Sequence, residues 1–116
     1  MAQAVVQGMI ERGYGRILAV SSPFAAEPRA KGASYSVGKA AEEALLRTLA
    51  REVAGTGVTS NVVLVRTIDA DRERETAPSP KNSSWTTAAE LADTLAFLAS
   101  AAAAAVNGAR IPLDGR

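Results

Sequence analysis

Two short, nearly continuous apolar runs constrain the fold of this 116-residue chain more than any other feature. The first extends from Arg16 to Val20, and the second, rich in β-branched residues, extends from Val58 to Val65. Runs of this length and composition are typical of parallel strands that are buried on both faces of a sheet. Because parallel neighbours need a long crossover between them, the runs predict an α/β fold with helices packed on the sheet.

Helical patterns flank these runs. Residues 2 to 13 carry an apolar stripe, and a turn in which Tyr14 stands between two glycines follows it. A longer helical pattern covers residues 36 to 54, and Leu46 lies off its main apolar stripe. Thr87 and Glu90 form a capping box that opens a third helix. We expect the apolar side of the long helix to consist of Ala40, Ala41, Ala44, Leu45, Thr48, Leu49 and Val53.

The last strand pattern covers residues 110 to 113. Pro112 cannot donate a hydrogen bond to a neighbouring strand, so we expect this strand at an edge of the sheet. The complete order is helix–strand–helix–strand–helix–strand. This alternation predicts one unit over residues 1 to 116, with a three-layer parallel sheet and right-handed crossovers.

Composition excludes several classes of function. A net charge of +1, with 22% charged residues, argues against a surface for nucleic acid. The chain contains no cysteine and no histidine, so we expect neither disulfides nor a metal site. The amino terminus lacks the layout of a signal peptide, and no apolar run is as long as a membrane span. We therefore expect a cytoplasmic location and no membrane partner.

One group of residues carries a pattern that suggests chemistry. Tyr35 and Lys39 are four positions apart where the long helix begins, which places them on one helical face. Ser22 ends the first strand run thirteen positions before Tyr35, and Ser21 is its rival because one residue of register separates them. A hydroxyl at a strand's carboxyl end, a phenol and an ammonium can converge where open α/β sheets bind ligands.

With the strands before and after them, Ser22, Tyr35 and Lys39 resemble the short-chain dehydrogenase/reductase family, whose mark is a Tyr-x-x-x-Lys pair with an upstream serine. The resemblance implies a Rossmann-like fold and hydride transfer between NAD or NADP and a small carbonyl or alcohol substrate. It also implies a role for each residue. Tyr35 would be the acid–base, Lys39 would hold the nicotinamide ribose and activate the tyrosine, and Ser22 would hydrogen-bond the substrate carbonyl.

The resemblance also implies that Val65, Thr67 and Ile68 lie beside the nicotinamide, together with Tyr35 and Lys39. Family members usually have a Pro-Gly pair after the second strand, where this chain has Val65 and Arg66. Arg66 places a bulky cation where a glycine would allow close approach. A threonine that normally follows in the family aligns with Ala70.

Two loops are expected to border this site. The first, residues 23 to 34, should sit over its mouth. The second, residues 66 to 86, is charged, contains proline and shows no periodicity. Long loops of this kind are usually lids or disordered segments, and we expect a substrate loop here. Phe24 and Trp85 are candidate pocket-lining aromatics, although a lone aromatic in a loop is more often a local anchor.

The resemblance covers only the carboxyl-terminal half of the family domain. The nine glycines are scattered, and none forms a glycine-rich turn between a first strand and a helix, where a dinucleotide would bind. We therefore expect the isolated chain to bind NAD or NADP weakly or not at all and to be inactive. Pairing in the family implies a homodimer or tetramer through helices 2 to 13 and 36 to 54. The alternative is a catalytically silent module that homo-oligomerises.

Overall fold

The computed structural model describes residues 2–23 and 33–115. The predicted α/β class with a parallel sheet is confirmed. A 3-10 turn at Ala101–Ala103 follows the last helix. In chain order, the elements are α1 (Ala2–Arg12), β1 (Gly15–Ser21), α2 (Ala33–Glu52), β2 (Val58–Leu64), β3 (Ile68–Asp69), α3 (Glu73–Thr76), β4 (Thr86–Thr87), α4 (Ala88–Ala99) and β5 (Arg110–Pro112).

The main sheet has the strand order β1-β2-β5, and both pairs are parallel. Every residue of β2 is buried, as expected for a central strand. The interior of β1 is only half-buried, so the prediction of burial on both faces holds for β2 but not for β1. The difference arises because, among the described strands, β1 has a neighbour on one side only. At the other edge, β5 contains Pro112, where the sequence predicts an edge strand.

Helices cover both faces of the main sheet. On one face, α2 supplies Leu46 to a cluster with Ile17, Ala19, Val62 and Leu64. On the other face, α4 supplies Leu91, Leu95 and Leu98 to a cluster with Leu18, Val20, Val63 and Val65. Strand residues of the two clusters alternate along the chain, as the pleat of a sheet requires. The three-layer arrangement is confirmed.

The two crossovers of this sheet have opposite hands. Both step in the same direction, from β1 to β2 and from β2 to β5, but α2 and α4 lie on opposite faces. The prediction of right-handed crossovers throughout is therefore wrong. The β1–α2–β2 unit is direct, whereas the second connection contains β3, α3 and β4 before α4. We assign the left-handed connection to this longer path, because the preference for right-handed crossovers arises from a helix that packs straight back onto its strand.

The face that α2 turns to the sheet differs from the predicted one. Leu46 is only 8% exposed, whereas Ala41, Leu45 and Thr48 are exposed. Alanines are spread around this helix, so their positions do not fix its rotation, and the larger Leu46 side chain sets the contact. Val53, just beyond the helix, is buried as predicted.

The turn after α2 brings two chain reversals together. Gly57 has a φ of +88°, and a Cβ there would collide with the carbonyl group of Gly13 in the α1–β1 turn. Only glycine allows both the left-handed backbone and this close approach. The turn therefore aligns the starts of β1 and β2, which pair from Gly15 and Val58 onward.

Buried polar residues of β2 join the sheet to its surroundings. The Ser60 hydroxyl donates to the Leu46 carbonyl at 2.9 Å. The Asn61 side chain donates to the Val106 carbonyl at 2.8 Å and accepts from the Ala109 amide at 2.9 Å. These bonds satisfy side chains that a purely apolar strand pattern would not contain, and they fix the chain leading into β5.

The segment between β2 and α4 is more regular than predicted. Strands β3 and β4 pair in parallel, Ile68 opposite Thr86, and α3 lies between them. Elements of two to four residues are too short to produce a periodic pattern, which is why the sequence shows none. The predicted capping box is confirmed, since Thr87 and Glu90 bond reciprocally at the start of α4.

None of the described helices combines the length and the apolar character needed to cross a membrane. Within residues 2–23 and 33–115, no group of three acidic side chains is arranged to hold a metal ion.

Candidate functional site at the carboxyl end of the sheet

The candidate site lies where β1 ends and α2 begins. β1 ends at Ser21, and Ser22 follows it with only 3% of its surface exposed. α2 begins at Ala33, so Tyr35 and Lys39 occupy its first two turns and share one stripe of the helix. The helix therefore starts earlier than predicted and includes both residues of the motif.

Lys39 is held against the end of β1. Its ammonium donates to the Val20 carbonyl at 3.2 Å and lies 3.5 Å from a carboxylate oxygen of Glu42. The side chain is largely covered, with 28% of its surface exposed. The Lys39 ammonium is thus bonded to a carbonyl two residues before Ser22. This is the end of the sheet where ligands bind in open α/β folds.

Tyr35 is 52% exposed, one helical turn before Lys39. Within residues 2–23 and 33–115, its hydroxyl makes no hydrogen bond. An exposed phenol with no internal hydrogen bond is able to exchange a proton with a bound oxygen atom. Most of the loop predicted to cover this point, including Phe24, lies outside the described residues.

Ser21 and Ser22 are both 3% exposed, and they differ in direction. Ser21 follows Ile17 and Ala19 in the alternation of β1, which places its side chain on the α2 face. Its hydroxyl is buried with no hydrogen-bond partner among the described residues. Ser22 lies beyond the last residue of the strand, where the alternation no longer fixes its direction. The choice between the two serines remains a hypothesis for mutagenesis.

The predicted cofactor residues divide between two parts of the structure. Val65 is buried, and its amide donates to the Ser21 carbonyl at 2.9 Å, which extends the pairing of β1 and β2. Thr67 accepts from the Thr86 amide at 3.0 Å, and Ile68 belongs to the small sheet. Val65 is thus brought next to the serines, while Thr67 and Ile68 belong to the segment that follows.

Asp69 organises that segment, and sequence reasoning missed it. Its buried carboxylate accepts from the Glu73 amide at 2.7 Å and the Arg74 amide at 3.1 Å, which caps α3. Arg72 adopts a left-handed backbone conformation between them, with a φ of 58°. An ordinary cap reaches two or three residues along the chain, whereas Asp69 reaches four and five, so the usual capping pattern does not reveal it.

A second missed pair ties α2 to the edge strand. Arg110 donates from Nε to Glu43 Oε2 at 2.7 Å, and Glu43 is only 7% exposed. Glu43 lies one helical turn beyond Lys39, so the bond holds the site helix against β5. Charged residues on a helix are ordinarily solvated, and no local pattern links two residues this far apart in sequence.

Comparisons with known proteins agree with this architecture. The family model described as enoyl-(acyl carrier protein) reductase matches residues 1–115. The chain is 34% identical to the 3-oxoacyl-(acyl-carrier-protein) reductase of Pseudomonas aeruginosa over 123 residues, covering 99% of this chain and 50% of the relative.

Solved structures show the same fold. An acetoin dehydrogenase from Salmonella typhimurium superposes with a TM-score of 0.82 and 28% identity, covering 98% of this chain and 48% of that one. A protein provisionally assigned as an NAD(P)-dependent gluconate 5-dehydrogenase from Beutenbergia cavernae, with NADP bound at low occupancy, gives a TM-score of 0.76. Its identity is 26%, over 98% of this chain and 50% of that one. The Rossmann-like class is confirmed, and the chain spans about half the length of the curated relatives it matches.

Proposed function

Because this chain belongs to the short-chain dehydrogenase/reductase family, we propose that it carries the catalytic residues of an NAD(P)-linked oxidoreductase that interconverts a carbonyl and an alcohol. The observation that supports this most is the position of Lys39, whose ammonium bonds the Val20 carbonyl at 3.2 Å, two residues before Ser22. Tyr35 shares its helical stripe and is open to a ligand. The named reductase and dehydrogenases above act on substrates of this carbonyl–alcohol type.

In the proposed reaction, the nicotinamide supplies or accepts the hydride when it is bound. In the reducing direction, the Tyr35 phenol gives its proton to the carbonyl oxygen of the substrate as the hydride reaches the carbonyl carbon. Lys39 stabilises the phenolate that is left, since an ammonium favours a neighbouring negative charge. Ser22, or Ser21 in its place, donates a hydrogen bond that orients the carbonyl.

The described residues fit only one end of a dinucleotide. In this proposal, Tyr35 and Lys39 hold the nicotinamide ribose, and Ile68 on β3, which is 41% exposed, is open to the cofactor. The amino terminus of α3, which would attract a phosphate in a longer helix, is already capped by the Asp69 carboxylate. We therefore propose that the pyrophosphate is bound by residues outside the described part of this chain, and that the segment 66–86 borders the substrate.

A chimeric enzyme tests this function. The chain replaces the matched half of the Pseudomonas reductase, and oxidation of NADPH is followed with a 3-oxoacyl thioester and a panel of small ketones. We expect turnover that falls at least about 100-fold in Tyr35→Phe, as for loss of a general acid. Tyr14→Phe, the matched control, should stay within about twofold because Tyr14 lies at the other end of the sheet.

The same chimera distinguishes the alternative of a silent module. If it folds and binds NADPH but no substrate is turned over, the catalytic proposal is wrong and the silent module is favoured. If the chimera is active, Ser21→Ala and Ser22→Ala resolve the choice between the serines. The variant that loses turnover identifies the residue that orients the carbonyl, and we expect this to be Ser22.

We also propose self-association through α1 and the outer face of α2. Val37 and Leu45 on α2 are 68% and 61% exposed, and Val5 on α1 is 51% exposed. Large apolar side chains left exposed on helices are commonly covered in an assembly when they form one patch. Sedimentation at micromolar concentration should show a dimer or tetramer that Leu45→Glu dissociates. A monomer in the parent chain would contradict this proposal without affecting the catalytic one.

A further inference from the structure

The turn that leads into β5 contains an asparagine followed by a glycine, Asn107 and Gly108. Asparagine is chemically labile, because the backbone nitrogen of the next residue can attack its side-chain amide. Glycine in the next position favours the attack, since it has no side chain to hinder it. The chain contains two other asparagines, Asn61 and Asn82, and neither is followed by glycine. Asn107 is therefore the most reactive asparagine in the sequence.

The fold holds both reacting groups on other partners. The Ser60 amide donates to Asn107 Oδ1 at 3.0 Å, and Asn107 Nδ2 donates to the Ala50 carbonyl at 2.8 Å. The Gly108 amide, which would be the attacking group, donates to the Ser60 carbonyl at 2.9 Å. While these bonds persist, the side-chain amide is fixed at both of its polar atoms and the attacking nitrogen keeps its proton.

The same bonds join three parts of the molecule. Ala50 lies in the last turn of α2, where carbonyls lack partners within the helix. Ser60 lies in β2, and both its amide and its carbonyl are bonded by the turn. The Asn107 side chain therefore closes the end of α2 and aligns the turn with β2 at the same time.

This segment is also well placed to open on its own. Asn107 and Gly108 are exposed, and together with Arg51 they line an open cavity of about 770 Å³, so water reaches them. β5 is three residues long, and among the described strands it pairs on one side only. Short exposed elements of this kind open locally while the rest of the fold stays intact.

We propose that Asn107–Gly108 is a site of spontaneous modification, which is exposed when the turn and β5 open locally and whose reaction releases this segment from β2. In the open segment, the Gly108 nitrogen loses its proton and forms a bond to Cγ of Asn107. The Cγ–Nδ2 bond breaks, and Nδ2 leaves as ammonia after taking up a proton, which gives a cyclic succinimide. Water then opens the ring at either carbonyl to give aspartate or isoaspartate. The proposal does not rest on the catalytic function, because the reaction uses only these two residues and water.

Either product weakens the ties of the turn. A carboxylate at position 107 still accepts from the Ser60 amide, but it cannot donate to the Ala50 carbonyl and places two oxygen atoms against each other. Isoaspartate in addition lengthens the backbone by one carbon, which moves the Gly108 amide away from the Ser60 carbonyl. Refolding does not restore the amide, so the release is permanent.

The full chain tests the proposal when it is incubated at mildly alkaline pH, once folded and once unfolded in urea. Peptide mass spectrometry and enzymatic methylation of isoaspartate measure the conversion of each asparagine. We expect Asn107 to convert fastest in urea and at least about tenfold more slowly in the folded chain. Hydrogen exchange at the Gly108 amide reports the same opening, so its slowing by the fold should agree with that of the conversion within about threefold.

Two variants distinguish local opening from unfolding of the whole chain. Glu43→Leu removes the bond at 2.7 Å that ties Arg110 of β5 to α2, so conversion of Asn107 should be at least about threefold faster. Tyr14→Phe is the control, since it removes one hydrogen bond far from β5. It should leave the rate at Asn107 unchanged. Equal acceleration of Asn107 in both variants would show that the whole chain must unfold, and the proposed local opening would be wrong.

A second pair of variants tests the release. Asn107→Asp reproduces one product, whereas Asn107→Thr replaces the amide by a hydroxyl that can accept and donate but cannot form the ring. With folding confirmed by circular dichroism, exchange at the Gly108 amide should be at least about tenfold faster in the aspartate variant than in the parent. The threonine variant should lie closer to the parent and show no conversion at position 107.

Three results would overturn the proposal. The first is equal conversion of Asn107 in the folded and the unfolded chain, which would mean that the fold does not hold the site closed. The second is the absence of isoaspartate at position 107 after incubation in urea. The third is unchanged exchange at Gly108 in the Asn107→Asp variant, which would mean that loss of the amide does not release the turn.

Discussion

The two ends of the main sheet are finished in different ways. At the amino end, the Tyr14 hydroxyl donates to the Ala99 carbonyl at 2.6 Å, and the Arg16 guanidinium bonds the carbonyls of Ser100 and Gly57. The guanidinium also stacks 4.3 Å from the centre of the Tyr14 ring. At the carboxyl end, Tyr35 is half exposed and the Lys39 ammonium bonds the Val20 carbonyl.

This difference separates residues that hold the fold from residues that remain available. At the amino end, the Tyr14 hydroxyl and the Arg16 guanidinium bond carbonyls that α4 leaves unbonded at its carboxyl terminus. At the carboxyl end, the Tyr35 hydroxyl makes no hydrogen bond among the described residues. We therefore expect substitutions in the interior and at the amino end of the sheet to reduce stability most. Substitution of Tyr35 in the motif should reduce it least.

The largest effect is expected at Asn61, in the centre of the sheet. Asn61→Leu leaves the Val106 carbonyl and the Ala109 amide without partners, which should lower the free energy of unfolding by about 3 kcal/mol. Thr59→Val is the matched control in the same strand. The Thr59 hydroxyl is buried with no partner among the described residues, so its removal should be neutral or stabilising. Urea unfolding measures both, and equal losses would contradict this interpretation of β2.

The Glu43–Arg110 pair should show an asymmetry. Arg110→Met leaves a buried carboxylate unpaired and should destabilise by about 2–3 kcal/mol. Glu43→Leu leaves Arg110, one third exposed, able to reach water, so we expect a smaller loss of about 1 kcal/mol. The double variant should recover most of the stability. A double-mutant cycle in which the two losses simply add would show that the residues do not interact.

The class of fold was predictable because it depends on long patterns. The two apolar runs and the two helical stripes predict their elements even when the boundaries are misplaced by a few residues. The Thr87 capping box marks the start of α4 directly. The rotation of α2 was not predictable, since alanines around the helix leave its hydrophobic direction undetermined and Leu46 decides it. The left-handed connection was also not predictable from the sequence, because it depends on which face of the sheet α4 packs against and not on any local pattern.

In the candidate site, too, local patterns were predictable and contacts between distant residues were not. The motif of Tyr35 and Lys39 is local, so its placement on one helical stripe followed from the sequence. Asp69 and the pair of Glu43 with Arg110 depend on unusual spacing or on contacts across the fold, and nothing near them in sequence signals their roles. The choice between Ser21 and Ser22 depends on one residue of register at the end of a strand, and mutagenesis decides it.

A moderate effect is expected at the amino end itself. Arg16→Met removes the bonds to Ser100 and Gly57 and the stacking on Tyr14, and should cost about 1–2 kcal/mol. Arg16→Lys keeps the charge near the end of α4 but loses the planar fork, so it should recover less than half of the loss. Thermal unfolding compares the three proteins. Full recovery by lysine would mean that charge alone, and not the geometry of the guanidinium, stabilises this end.

The smallest effect on stability is expected at Tyr35. Replacing each tyrosine by phenylalanine removes only its hydroxyl group, so the two variants compare the two ends of the sheet directly. Tyr14→Phe removes a hydroxyl that donates at 2.6 Å and should lower the free energy of unfolding by about 1 kcal/mol. Tyr35→Phe removes a hydroxyl with no hydrogen bond among the described residues, and should change stability by less than about 0.5 kcal/mol. In the chimeric enzyme we expect the order to reverse, because Tyr35 and not Tyr14 is the proposed acid–base. A stability loss at Tyr35 as large as that at Tyr14 would show that the fold itself uses the phenol, and the contrast between the two ends of the sheet would then fail.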